Sequence, residues 1–256
     1  MTPESRVVDL NADLGESFGA WRLGDDEAML AIVTSANIAC GFHAGDPLTI
    51  RRACAHAVGR GVRIGAQVSY KDLAGFGRRE MTVPLAELEA EILYQIAALD
   101  GVARAEGGRV SYVKPHGALY NRAARDREQA AAIAAAVAAY DPALPLLTLP
   151  GSATEAAAAE IRLRPVTEAF ADRGYADDGS LVPRSEPGAL VTDPDAVAAR
   201  AVAMVTKGVV GTVEGHLLEV SPRSLCVHGD TPGAVTLATA VRGALERAGV
   251  TLAPFA

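Results

Sequence analysis

Short apolar, β-branched runs alternate with longer stretches of helical periodicity along the whole chain. The runs at 7–11, 34–39, 62–66, 110–113, 144–149, 165–168 and 224–227 predict strands. Between them, 47–60, 84–106, 126–140, 193–207 and about 231–248 predict helices. The punctuation agrees. Asp46 followed by Pro47 supplies a cap and a first helical position, Gly61 ends that helix, and Gly107-Gly108 closes the next. The stretch 171–190, rich in Asp, Gly, Pro and Ser, predicts one long loop at a site. Repeated strand-then-helix order implies parallel strands joined by right-handed crossovers. About seven such units favour an α/β fold closed as a (β/α) barrel, or a barrel-like distortion of one, over an open sheet. No Gly/Ser linker or change of composition divides the chain, so a single domain over 1–256 is expected.

Composition narrows the partners more than the chemistry. The 256 residues carry a formal net charge of −7 with no long run of one sign, which argues against a nucleic-acid partner. No apolar run reaches the roughly 18 residues of a membrane span, and Met1 to Leu10 lacks the pattern of a secretory leader. The three cysteines, Cys40, Cys54 and Cys226, form no CxxC pair and fit buried thiols in the cytoplasm.

Polar residues gather just after the strands. The strand exits read Asp9-Leu10-Asn11-Ala12-Asp13-Leu14-Gly15-Glu16, then Asn37-Ile38-Ala39-Cys40-Gly41-Phe42-His43, then Gln67-Val68-Ser69-Tyr70. Later exits carry Lys114-Pro115-His116-Gly117, Glu168-Ala169-Phe170 with Asp172-Arg173, and His228-Gly229-Asp230. Singly, Asp13 is an ordinary turn residue, His43 a satisfied structural histidine and Asp46 an N-cap. Together they predict that Asp13, His43, Lys114, His116, Glu168 and His228 surround one mouth, because strand ends on one side of a parallel fold converge there. Such a set suits proton transfer and stabilisation of an oxyanion. The chain has no GxxxxGK[ST] phosphate loop, no GxGxxG after a strand, no HExxH and no GxSxG.

These strings, with Val113-Lys114-Pro115-His116-Gly117-Ala118-Leu119-Tyr120-Asn121 and Leu181-Val182-Pro183-Arg184-Ser185, resemble the LamB/YcsF family in order over nearly the whole chain. The resemblance implies a barrel of the glycoside hydrolase/deacetylase type and a part in 5-oxoprolinase activity. That activity is the ATP-dependent opening of the 5-oxoproline lactam to L-glutamate, with ATP and Mg used at the level of a complex that includes 5-oxoprolinase subunits B and C. One position departs from the family pattern. Gly65-Ala66-Gln67-Val68-Ser69 stands where relatives usually carry Gly-Ala-His-Pro-Ser, and an amide can neither titrate nor bind a metal as an imidazole does.

The expected catalytic set is therefore Asp13, His43, Lys114 and His116. Asp13 or His43 would handle the attacking water, and Lys114 with His116 would stabilise negative charge. The substrate contacts expected are Asn11, Glu16, Asn37, Gln67, Glu168, Arg173, Arg184, His228 and Asp230, with Arg173 or Arg184 holding the substrate carboxylate. With one imidazole lost at Gln67, no tightly bound transition metal is expected. Two alternatives remain at this level. One is a metal-dependent deacetylase-like hydrolase using Asp13, His43, His116 and His228; the other is a non-catalytic substrate-binding component.

Overall fold

A computed structural model of the chain describes residues 6–231 and 233–256. Part of the N-terminal segment expected not to be a leader, and Pro232 within the predicted last helix, lie outside the described residues. Seven parallel strands close into a ring: β1 (Val7–Leu14), β2 (Ser35–Ala39), β3 (Arg63–Val68), β4 (Val110–Pro115), β5 (Leu146–Thr148), β6 (Pro165–Phe170) and β9 (Ser224–Cys226), with β9 pairing back onto β1. A further short strand, β10 (Thr251–Leu252), adds to the beginning of β1. Helices α2 (Pro47–Arg60), α3 (Leu85–Ala105), α5 (Arg127–Tyr140), α7 (Pro194–Thr206) and α8 (Ala234–Arg247) match the predicted periodicities. The side chains of Asp46, Asp126 and Asp193 cap α2, α5 and α7.

Strands β1, β3, β4 and β6 run further than their apolar runs suggest, because the barrel interior is polar. In β1, Val8, Leu10, Ala12 and Leu14 join the apolar core, while the alternate residues Asp9, Asn11 and Asp13 hydrogen-bond to polar side chains of neighbouring strands. Period-2 alternation thus carries β1 to Leu14, beyond the predicted end at Asn11. Tyr112 plugs the interior. Its ring lies where a Cβ on Gly65 would sit, so only glycine at 65 admits it, and Phe255 meets the ring edge-on at 4.9 Å between centroids.

Several elements were not predicted. The hairpin β7 (Val209–Gly211)–β8 (Leu217–Glu219) has strands too short to show alternation. Helices α1 (Asp26–Leu30), α4 (Gly117–Ala123) and α6 (Ala153–Glu160) are short. For α6 a signal existed: Ser152 accepts from Glu155 N, and Glu155 accepts in turn from Gly151 N, close to a capping box. The predicted loop after β6 is largely irregular chain, pinned by the isolated bridges Arg173–Leu190 and Tyr175–Leu181. No helix among the described residues is long and apolar enough to cross a membrane.

Candidate active site

The interior ladder of β1 sets one side of the mouth. At its floor Asp9 accepts from Thr34 and Ser35 at 2.6 Å and from Ser224. One level up, Asn11 donates to Ser224 Oγ at 2.6 Å and accepts from Asn37 at 2.7 Å. Asn37 also donates to Asp13 at 2.8 Å and accepts from Tyr112 at 2.6 Å. On this platform stands the Lys114 ammonium. It lies 3.3 Å from Asp13 and 3.0 Å from Glu168, and donates to Asn11 Oδ1 and Cys226 Sγ at 3.2 Å. Burial by itself would discharge Lys114, but Asp13, Cys226 and Glu168 hold its pKa well above the ordinary lysine value. Burial likewise opposes ionisation of Asp13, yet the neighbouring Lys114 ammonium, first among the lowering causes, holds its carboxyl below the usual range. Glu168 is raised, by burial first. The cluster is a buried cation shared between two carboxyls, with nearly every polar atom of Asn11, Asn37, Asp13 and Lys114 engaged.

Across the mouth, the exits of β1, β2, β3 and β4 bring together Glu16, His43, Gln67 and His116. The two imidazoles stack at 4.1 Å between centroids, tilted by 21°. Phe76 meets both rings edge-on. Gly77, at φ +66°, lies over them, and a Cβ there would fall 2.9 Å from His43 Cβ. Glu16 Oε1 accepts from Gln67 Nε2 at 3.0 Å, but stands 3.8 Å from the Nε2 atoms of both histidines, beyond hydrogen-bond reach. Both nitrogens of His43, Nδ1 of His116, Oε1 of Gln67 and Oγ of Ser69 are buried without a partner. Burial pushes the pKa of His43 down to about 4 and that of His116 well below its ordinary value, with His43 adding to the latter. Burial, then Asp13 and Asp230, raise Glu16.

The mouth opens into a cavity of about 730 Å³ bordered by Asp13, Lys114, His116, Phe170, Arg173, His228 and the loop segment 178–185. His228 Nδ1 lies 3.0 Å from both oxygens of Asp172, and its ring stacks on Phe170 at 5.5 Å. With Nδ1 held by a carboxylate, Nε2 is the free nitrogen on the other side of the ring. Burial opposes ionisation of Asp172, but His228 keeps its carboxyl below the ordinary value. At the rim, Asp230 accepts from Arg78 at 2.6 Å and lies 3.9 Å from Arg184. Arg78, Arg125, Arg173, Arg184 and Lys114 border the cavity against Asp13, Glu80 and Asp178, a balance suited to an anionic ligand.

Several sequence assignments change in this geometry. Of the four expected catalytic residues, Asp13, Lys114 and His116 border the cavity; His43 is fully buried and stacked on His116, and does not. Asn11, Asn37, Glu16, Gln67 and Glu168, expected as substrate contacts, do not line the cavity; they hold Asp13, Lys114 or one another. Arg173 borders the cavity, but its guanidinium donates to the carbonyls of Ala189 at 3.0 Å and Val182 at 2.6 Å. It therefore pins the loop, whereas Arg184 borders the cavity 3.9 Å from Asp230. His228 lines the cavity as expected, while Asp230 holds the rim arginines. Asp172, which orients His228, was missed as a partner, although a carboxylate just past the exit of β6 was a visible signal.

Comparison with known proteins places this architecture. A Streptomyces avermitilis protein, named as the A component of 5-oxoprolinase, is 61% identical over 250 residues, which are 98% of this chain and all of that one. The crystal structure of a lactam utilization protein from Thermus thermophilus superposes with a TM-score of 0.92 at 50% identity, covering 97% of this chain and 99% of that one. A family 4 carbohydrate esterase from Streptomyces lividans shares the fold alone, at a TM-score of 0.52 and 15% identity over 98% of this chain and 93% of that one. Residues 8–256 match the LamB/YcsF family, and the chain belongs to it.

Proposed function

We propose that this chain is the A component of a 5-oxoprolinase, opening the 5-oxoproline lactam to L-glutamate in the cytoplasm together with subunits B and C and at the expense of MgATP. The observation that carries this reading is the 61% identity, over 98% of the chain, to a relative that bears the name of that component. The cavity supports it independently, since 5-oxoproline is a small carboxylate and the walls are rich in guanidinium groups. The three buried free thiols fit a reducing compartment.

A lactam is resonance-stabilised, and phosphorylation of its oxygen by ATP, with release of ADP, would make the ring carbon a better electrophile for water, whose addition is followed by cleavage of the ring C–N bond and departure of phosphate. In this chain the geometry favours His228 as the base for that water. Asp172 fixes its Nδ1, and the ring faces the cavity. Asp13 is a poorer base because Lys114 and Asn37 occupy its carboxylate, and His43 is poorer because it is sealed behind His116. Lys114, held charged by Asp13 and Glu168, stabilises negative charge on the reacting oxygen. Arg184 holds the substrate carboxylate.

The test is to incubate the purified chain with 5-oxoproline and MgATP and to measure glutamate. None is expected until the partner subunits are added. Robust release by the chain alone would overturn the divided enzyme.

A further inference from the structure

We propose that Glu16, His43 and His116 form a binding site for one divalent transition-metal ion, with zinc the best-matched probe. The ligand atoms of these three residues lie within 4.8 Å of one another, and all three residues are buried. Two features mark the arrangement as a built site. First, the Nε2 atoms of both histidines approach the same carboxylate oxygen, Glu16 Oε1, at an equal 3.8 Å. Around a tetrahedral ion with metal–ligand bonds near 2.1 Å, neighbouring ligand atoms are roughly 3.4 Å apart. Each histidine would need to approach Glu16 by only about 0.4 Å to reach that spacing. Second, a ligand atom is orphaned. Nε2 of the fully buried His43, the atom that faces Glu16, has no partner, a state that protein interiors rarely tolerate.

A cation between the three groups would give the unpartnered His43 Nε2 and the Glu16 carboxylate a common partner. Two imidazole nitrogens and one carboxylate oxygen suit zinc and its neighbours rather than magnesium or calcium. His116 borders the cavity, so the trio lies at its wall. Gln67, whose amide touches Glu16 and whose Oε1 is also orphaned, stands beside the site. The expectation of no transition metal rested on the imidazole missing at 67. The three groups brought together here do not include that position.

A second set, Asp13, Cys226 and His228, has comparable spacing but is already spent. Lys114 occupies Asp13 and Cys226, Asp172 occupies His228, and burial keeps the Cys226 thiol protonated. It serves as an internal control. Metal binding does not depend on the lactam reaction, so failure of one leaves the other standing.

The experiment is titration of the chelator-stripped full-length chain with zinc chloride by calorimetry, with cobalt(II) absorption as a second readout of coordination. One equivalent of zinc is expected. Loss of a supporting group near a metal weakens binding about 10–100-fold, so loss of a ligand in Glu16→Gln or His43→Gln should weaken it by more than about 100-fold. His228→Asn should leave it unchanged. Gln67→His, which adds an imidazole and removes nothing from the trio, should tighten binding about tenfold or more, and keeps the test open if His43→Gln fails to fold. Absence of both zinc heat and a cobalt spectrum in the parent chain would overturn the proposal. So would undiminished affinity in a folded Glu16→Gln variant, or an equal loss in His228→Asn.

Discussion

The two sides of the barrel mouth are built from the same kinds of residue and differ in how completely they are satisfied. Around Lys114, two carboxyls, one amide and a thiol meet one ammonium at 3.0–3.3 Å, and the platform beneath is hydrogen-bonded down to Asp9; the Glu168 carboxyl is held there by its ion pair with Lys114 and has no hydrogen bond besides. Around Glu16, three titratable groups are equally buried, but both imidazoles stop 3.8 Å short of the carboxylate, with five buried polar atoms at or beside the site unpartnered. A buried polar network stabilises a fold only when every member is satisfied. The first side is thus a charge cluster centred on one ammonium, with Glu168 its least satisfied member, and the second, where neither nitrogen of His43 has a partner, is the side proposed above to take a cation.

Removing the cation from the satisfied side should do the most damage. Lys114→Met would strand the Asp13 and Glu168 carboxyls, and breaking a buried pair in this way costs about 3–5 kcal/mol. Urea unfolding should register that loss, and glutamate release by the reconstituted complex should vanish. Stability within about 1 kcal/mol of the parent would show that the cluster is not the keystone described here.

The next effect is confined to chemistry. His228→Asn should lower kcat/KM of the complex about 10²–10⁴-fold, the usual worth of a general base, with the melting temperature nearly unchanged. A drop of less than about threefold would return the base to another residue. Arg184→Gln should raise KM for 5-oxoproline by about 10–100-fold at similar kcat, corresponding to loss of one charge-assisted hydrogen bond of about 1.5–3 kcal/mol. A pure kcat effect would contradict its assignment to the substrate carboxylate.

Smaller still is Asp46, which caps α2 and fastens Gly19 on the unsatisfied side. Asp46→Ala should cost about 1 kcal/mol in chemical denaturation. Hydrogen bonds from Thr49 and Gly19 lower the pKa of Asp46 from 3.8 to about 2. A depressed carboxyl stabilises the fold above its unfolded value and loses that contribution as pH falls through the folded value. The parent should thus lose stability between about pH 4 and pH 2 more steeply than Asp46→Ala, and parallel acid curves would rule the cap out as the source. The smallest effect sharpens the comparison most. Glu16→Gln in metal-free protein should lie within about 1 kcal/mol of the parent, because an uncompensated buried carboxyl is exchanged for a neutral group that still accepts from Gln67. A loss as large as that of Lys114→Met would erase the distinction between the two sides.

Much of this architecture was legible in the chain. Alternation of β-branched runs with helical periods, and the cap at Asp46, specify a parallel α/β barrel through local rules of backbone and burial. The polar strand exits located the mouth, since topology alone brings those exits together. What the sequence could not decide was which neighbour each polar residue finds. Lys114 meets Glu168 and Cys226 through ring closure of β4, β6 and β9, at separations of 54 and 112 residues. In sequence His43 reads as a catalytic group and Arg173 as a substrate contact, yet one is sealed behind His116 and the other is spent on loop carbonyls. Local patterning determines which way a strand turns its side chains. Whether two of them end 3.0 or 3.8 Å apart is decided by closure and packing of the barrel, which sum over the whole chain.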